Sequence, residues 1–109
     1  MTSSDKLLLN WNNFEDTATT SFRNLQADED FTDVTLVCED GQQVEAHRVI
    51  LASCSSFFDT VLRRIKHPHP LVYMPGLRME DLEAVVDFIY QGEVSVNQMD
   101  LEGFLKVAT

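Results

Sequence analysis

The stretch FTDVTLVCEDGQQVEAHRVILASCSSFFDTVL, residues 31–62, decides the fold because its patterning changes from strand-like to helix-like. In its first part apolar residues recur at every second position, at Val34, Leu36 and Cys38. That two-residue period is typical of a half-buried strand. Asp40 and Gly41 follow, and an Asp-Gly pair tolerates the positive φ angles of a type I′ turn. The sequence therefore predicts a β-hairpin over residues 33–46, with Asp40 and Gly41 at the centre of a two-residue turn.

A pair of helices is predicted directly after the hairpin. The segment HRVILASCSSFFDTVLRRI, residues 47–65, is rich in helix formers and is broken near residues 53–56. Ser56 with Asp59 three positions later is a capping pattern that predicts the start of the second helix. The apolar residues of that helix fall on one stripe, made of Phe58, Val61, Leu62 and Ile65.

Shorter patterns on either side complete the prediction. Before the hairpin they indicate a strand in KLLLNWNN (residues 6–13) and a helix at about 14–26, started by Asn12 and Glu15. After the helical pair they indicate a strand at 71–74 and a helix at 79–90 that Gly92 ends. A strand at 93–96 and a helix from Ser95 or Asn97 to Ala108 follow. This order predicts an α+β fold with a small sheet, not a regular alternation of strands and helices.

The chain length fits one domain, which we expect to span residues 1–109. We expect residues 1–6 to be flexible. The last helical pattern is still running at Thr109, so we expect the natural domain to continue and this helix to be truncated.

The charge, apolar content and cysteine count of the chain disfavour several classes of function. The formal net charge is -10, from 18 acidic and 8 basic residues. An acidic surface disfavours contact with nucleic-acid phosphates and with anionic membranes. Neither a signal peptide nor a membrane-spanning stretch is predicted. The two cysteines are too few for a disulfide scaffold, so a reducing intracellular compartment is expected.

The candidates for catalysis and metal binding have simpler explanations. Cys54 with His47 is the best pair for a nucleophile and base, but both lie in patterns that form a core, where a free cysteine acts as a small apolar group. His67, His69, Cys38 and Cys54 lack the paired spacing of structural zinc sites. The basic residues Arg63, Arg64 and Lys66 suit the last turn of a helix. We therefore expect no enzyme activity, cofactor or metal.

Two features of the sequence are not explained by the folding of a single copy of the domain. Asp33 begins a strand and Arg48 begins a helix, so the two side chains can meet across the hairpin, or both can be exposed and contribute little. The apolar run Leu7–Leu9 near the start cannot satisfy its backbone hydrogen bonds alone. An exposed strand of this kind recruits another strand, from the same chain or from a second subunit.

The residues of this stretch closely resemble the BTB/POZ domain. The resemblance lies in Asp33-Val34 entering the hairpin, Ala46-His47-Arg48 leaving it, Ser53-Cys54-Ser55 in the helical pair, Phe58, and Phe88-Ile89-Tyr90 with Gly92. The opening LLLNWNN is similar to the N-terminal extension of the tramtrack-type group of arthropod transcription and chromatin factors. Asn10 departs from that group, which usually carries arginine there.

The resemblance implies a homodimer in which the N-terminal strand crosses to pair with the partner's residues 93–96. It places the first helix against its symmetry mate and implies an interface made of Leu7, Leu8, Leu9, Trp11, Phe14, Ala18, Phe22, Leu25, Val94 and Val96. Assembly beyond the dimer, pairing with other BTB domains and a nuclear location are also implied. Asp33 and Arg48 match a charged pair in a groove that some members present to corepressors; a role in the integrity of the fold is the other interpretation.

A second family role is that of substrate adaptor for a cullin-type ubiquitin ligase. That role typically uses a hydrophobic-x-Glu motif in the loop after the helical pair. The corresponding segment, RRIKHPHPLVYM (residues 63–74), contains no glutamate. The sequence therefore favours the self-association module of a nuclear regulator that recruits corepressor or chromatin proteins, with any DNA contact made by chain outside these residues.

Overall fold

A computed structural model describes residues 5–95. Its elements in chain order are α1 (Phe14–Asp28), β1 (Val34–Val37), β2 (Gln43–Ala46), α2 (Arg48–Cys54), α3 (Ser56–Arg63), β3 (Leu71–Tyr73) and α4 (Met79–Gln91). The predicted α+β class with a small sheet is confirmed. The helix predicted after residue 95 lies outside the described residues.

The three strands form one sheet in the order β2-β1-β3. β1 pairs antiparallel with β2, with Val34 opposite Ala46, and parallel with β3, with Leu36 opposite Val72. The parallel pairing is possible because α2 and α3 carry the chain between β2 and β3. β1 was expected to be half-buried, yet all four of its residues are buried because it is the central strand.

The turn between β1 and β2 differs from the predicted two-residue type I′ turn. Glu39 and Asp40 are its central residues, since the Gly41 N–H donates to the Cys38 carbonyl oxygen at 3.0 Å. Gly41 follows with a φ of 92°, whereas Asp40 is not among the residues with positive φ. This three-residue loop needs one left-handed residue, which is Gly41. Asp40 therefore avoids the left-handed conformation, which is costly for a residue with a Cβ.

The residues predicted to cap two helices are wrong, although α1 begins at residue 14 as predicted. α1 begins after Asn13, whose side chain makes no capping hydrogen bond, so the Asn12 and Glu15 pair does not cap it. α3 is capped by Ser55 and not by Ser56: Ser55 Oγ accepts a hydrogen bond from the Phe58 N–H at 3.3 Å. Ser55 holds extended backbone angles between the two helices, as a cap residue must.

The core lies between the sheet and α2, α3 and α4. Its most deeply buried large side chains are Phe58, Leu36, Leu51, Leu82, Val34 and Val85. The predicted α3 stripe is confirmed, since Phe58 and Leu62 are buried and Val61 and Ile65 pack against the core. Gly92 ends α4 with a φ of 81°, as expected for a glycine that terminates a helix.

The two terminal strands are absent from the single protomer within the described residues. Residues 5–11 and 93–95 have no strand pairing. A strand forms only where a neighbour accepts and donates its backbone hydrogen bonds, and neither segment has such a neighbour among residues 5–95 of one chain.

Candidate self-association surface and charged pair

An apolar segment projects ahead of α1, and we call residues 7–11 the arm. Leu7, Leu8 and Leu9 are 83%, 87% and 87% exposed, and Trp11 is 64% exposed. The Trp11 ring meets the Phe14 ring edge-on with 5.3 Å between centroids, so the arm joins the first turn of α1. Three consecutive leucines in water are unusual for a stable surface and typical of a binding segment.

α1 continues this apolar surface. Its stripe of Phe14, Ala18, Phe22 and Leu25 recurs at helical spacing, as predicted from the sequence. Phe14 and Phe22 are exposed, and Ala18 and Leu25 are half-buried. None of the α1 residues, all of which the structure describes, is buried. The helix therefore shows most of its apolar side to the outside of the protomer.

The C-terminal end of α1 is attached to the domain. Leu25 packs against the core. Gln26 Nε2 donates to Asp87 Oδ1 at 2.7 Å, and Gln26 Oε1 accepts from Gln91 Nε2 at 3.1 Å, so α4 holds this end of the helix. Of the two other residues predicted for the interface, Val94 packs partly against the core and Val96 lies outside the described residues.

Asp33 and Arg48 contact each other. Arg48 Nε lies 3.0 Å from Asp33 Oδ2, and the Arg48 backbone N–H donates to Asp33 Oδ1 at 2.8 Å. Arg48 Nη1 also donates to the His67 carbonyl oxygen at 3.2 Å. Arg48 thereby connects the start of β1 and the loop before β3 to the first turn of α2. The two side chains are 34% and 38% exposed, so the pair is partly solvated.

The pair borders a groove of about 430 Å³. Its other lining residues include Ser53, Leu62 and a second ion pair, in which Arg63 Nε lies 2.7 Å from Asp59 Oδ1. The groove thus carries alternating charges over an apolar floor. This arrangement can orient a polar segment of a partner protein.

The pKa of Asp33 is lowered. Partial burial acts to raise it, but the hydrogen bonds from the Arg48 N–H and guanidinium outweigh that effect. A carboxylate with a lowered folded pKa contributes stability above its unfolded pKa, and this contribution is lost as the pH falls through the folded value.

We expect Asp33→Asn to lower the free energy of unfolding by about 1 kcal/mol at pH 7, because the pair is partly exposed to solvent. The deficit should begin to shrink as the pH falls below about 3.9, the ordinary pKa of an aspartate, and should disappear below the lowered pKa of the folded protein, where Asp33 of the wild type is also protonated. Urea unfolding of both proteins across this range measures the difference. Glu39→Gln removes the same charge from an exposed side chain and serves as control. A deficit that stays constant down to the lowest pH would contradict this role of Asp33.

His47 and Cys54 do not form a nucleophile and base. His47 is buried, with Nδ1 2.6 Å from the Tyr90 hydroxyl and Nε2 2.5 Å from the Asp30 carbonyl oxygen. Both ring nitrogens are therefore engaged, whereas Cys54 is exposed at the end of α2. The contact between His47 and Tyr90 was not predicted from the sequence, where its one signal is a histidine inside an otherwise apolar pattern.

The residues considered for zinc do not converge. His69 Nε2 lies 2.9 Å from Thr35 Oγ1 and 3.3 Å from Glu45 Oε2, on the outer face of the sheet. Cys38 is buried and its thiol donates to Asp40 Oδ1 at 2.7 Å. Over residues 5–95 the structure contains no group of three or more His, Cys, Asp or Glu side chains arranged to hold a metal ion.

A second concavity lies between the end of α1 and α2. This hollow of about 360 Å³ is lined mainly by apolar side chains, including Phe22, Leu25, Phe31, Val49 and Ile50. Phe31 is 88% exposed and Val49 71% exposed, and neither was predicted to be at a functional surface. The apolar surface of α1 therefore extends onto α2. Within the described part of the chain, no helix has the length and apolarity needed to cross a membrane.

Comparisons with known proteins agree with this architecture. The sequence model of the BTB/POZ domain matches residues 22–109. The chain is 44% identical over 108 residues to the Broad-complex core protein of Drosophila melanogaster, covering 99% of this chain and 15% of that protein. It is 41% identical to the longitudinals lacking protein-like of the same organism, covering 99% of this chain and 84% of that protein.

A third relative and a solved structure complete the comparison. The alpha isoform of Drosophila melanogaster tramtrack is 41% identical over 108 residues, covering 97% of this chain and 13% of that protein. The BTB domain of zebrafish PATZ1 matches with a TM-score of 0.76 at 19% identity, over 93% of this chain and 82% of that one. The chain therefore belongs to the BTB/POZ family of protein-interaction modules, in the tramtrack-type group.

Proposed function

We propose that this domain, spanning residues 1–109, joins two copies of a nuclear regulatory protein through the arm and α1. The observation that carries the proposal is the continuous apolar surface from Leu7 to Phe22, which its own protomer leaves exposed. A second copy presents the same surface, and two equal patches related by a two-fold axis form a closed dimer. Contact between the two α1 helices would place Phe14 and Ala18 near that axis.

The arm would add a strand to the partner. Residues 93–96 of the second copy are its expected neighbour, because residues 93–95 are unpaired in the described protomer. Exchange of both arms satisfies the backbone hydrogen bonds that each arm lacks alone. Together with α1, we expect more than about 2,000 Å² of total burial, the range of obligate dimers.

Partner recruitment is the second part of the proposal. The groove at Asp33 and Arg48 is open and charged, so it suits a polar segment of a corepressor or chromatin protein. Other BTB domains with a similar α1 surface are further candidate partners, as are assemblies larger than the dimer. The chain covers only 15% of the Broad-complex protein and 13% of tramtrack, so in such a regulator any DNA contact would come from other segments.

Phe14→Asp tests the α1 half of the interface. The residue lies in the first turn of α1, where an acidic side chain suits the helix dipole, so the protomer should remain folded. In the dimer the two aspartates would face each other near the two-fold axis. We expect the dissociation constant to rise at least about 100-fold, which corresponds to about 2.7 kcal/mol.

Light scattering over a concentration series measures this change as a shift from dimer to monomer mass. Leu71→Asp is the matched control: Leu71 is 60% exposed on the edge strand β3, and edge strands tolerate charge. Circular dichroism confirms the fold of both variants. If the wild type is a folded monomer at every concentration, the self-association proposal fails and the adaptor role becomes the better explanation.

A further inference from the structure

A buried hydrogen-bonded group joins the loop after α1 to the core, and we call His47, Tyr90 and the Asp30 carbonyl the His47 clamp. We propose that the His47 clamp sets the direction of α1 and is required for tight self-association, although it lies outside the exposed apolar stripe. The inference rests on the proposed function, because it concerns how the α1 surface is presented to a second copy.

The loop that the clamp holds is strained. Glu29 has a φ of 54° and Phe31 a φ of 63°, on either side of Asp30. Non-glycine residues rarely adopt these left-handed angles, and they persist only where surrounding contacts enforce them. The bond from His47 Nε2 to the Asp30 carbonyl lies at the centre of this strained turn. Without it, the loop is free to relax toward ordinary backbone angles.

The hydrogen bonds of the clamp have one consistent direction. A carbonyl oxygen only accepts, so Nε2 carries the proton and donates to Asp30, and Nδ1 is left as an acceptor. The Tyr90 hydroxyl accepts from the His47 backbone N–H at 2.8 Å and donates to Nδ1 at 2.6 Å. Burial raises the pKa of Tyr90 to about 12, so the hydroxyl keeps the proton that it donates. The imidazole is thereby held in a single orientation.

α1 depends on this loop because its other attachments are few. Leu25 and Gln26 hold the last turns, while no residue in the first half of the helix is buried. A helix of 15 residues is about 22 Å long, so a rotation of 10° at the loop moves its N-terminus by about 4 Å. In a two-fold dimer the α1 helices of both protomers are displaced in this way. Such a displacement exceeds what packed side chains tolerate.

Two substitutions of His47 separate its two ring nitrogens. His47→Asn retains a polar group at the position of Nδ1, facing Tyr90, but cannot reach the Asp30 carbonyl. His47→Gln places an amide N–H near the position of Nε2 and restores the bond to Asp30. We expect His47→Asn to raise the dimer dissociation constant at least about tenfold, and His47→Gln to remain within about threefold of wild type.

Sedimentation equilibrium gives the dissociation constants and thermal unfolding gives the stability of each variant. Val72→Ala, a core change on β3 and therefore not on the helix that holds α1, calibrates how far a loss of stability alone weakens the dimer. The inference is overturned if His47→Asn dimerises as tightly as a Val72→Ala protein of similar stability, or if His47→Gln is as weak as His47→Asn. Should His47→Asn not fold, Tyr90→Phe replaces it, with an expected rise of at least about tenfold. A constant within about threefold of wild type then overturns the inference. A wild type that is monomeric throughout overturns the proposed function instead.

Discussion

Replacing Leu7, Leu8 and Leu9 by serine is expected to raise the dimer dissociation constant at least about 1,000-fold. Full burial of one leucine contributes about 1.5–3 kcal/mol, and each of these side chains is more than 80% exposed in the protomer. Burial of three leucines in each of two arms contributes far more free energy than the 4.1 kcal/mol that a 1,000-fold change in the dissociation constant represents. The expected loss is smaller than the full sum because ordering the arm costs conformational entropy.

The protomer itself should be unaffected by this triple substitution, since its described core contains none of the three leucines. Analytical ultracentrifugation measures the constant, and urea unfolding in the monomeric range measures the stability of the protomer. Leu71→Ser makes the same chemical change at an exposed position on β3 and should leave the constant within about twofold of wild type. A triple variant that dimerises like the Leu71→Ser control would exclude the arm from the interface.

Much of the fold follows from local patterning. The alternation at Val34 and Leu36 predicts a strand, and the spacing of Phe58 and Leu62 predicts a helix with one buried face. The burial of Phe58 and Leu62 agrees with a helix that packs one face on the core, whereas β1 is buried on both faces, which its alternation did not predict. The outcome on α1 is different: its stripe also recurs at helical spacing, yet none of its residues is buried.

Contacts between distant segments could not be predicted in this way. His47 and Tyr90 are 43 positions apart, and no periodicity links a histidine to a tyrosine across that separation. The position of the Ser55 cap depends on backbone angles that the neighbouring Ser56 could equally have adopted. A strand in residues 6–13 was expected from their apolar character, but a strand also requires a neighbour, and the described part of the protomer supplies none.

Phe58→Ala is expected to lower the free energy of unfolding by about 3–5 kcal/mol. Phe58 is 0% exposed and is the largest of the fully buried side chains. Its removal leaves a cavity between α3 and the sheet that rigid neighbours such as Leu36 and Leu51 cannot fill completely. Because small domains are stable by only about 5–15 kcal/mol, the variant should be close to unfolding at 37 °C.

The adjacent residue provides the matched control. Phe57 is also a phenylalanine in the first turn of α3, its ring lies 5.2 Å from that of Phe58, and it is 37% exposed. We expect Phe57→Ala to cost about 1 kcal/mol, the typical size of a substitution that leaves the core filled. Urea unfolding at one protomer concentration gives both values, since dimerisation makes apparent stability depend on concentration. Equal losses in the two variants would contradict the assignment of Phe58 to the core. A much larger loss for Phe58 would show that this side chain is a main anchor of α3, the helix that also places Asp59 and Arg63 beside the groove.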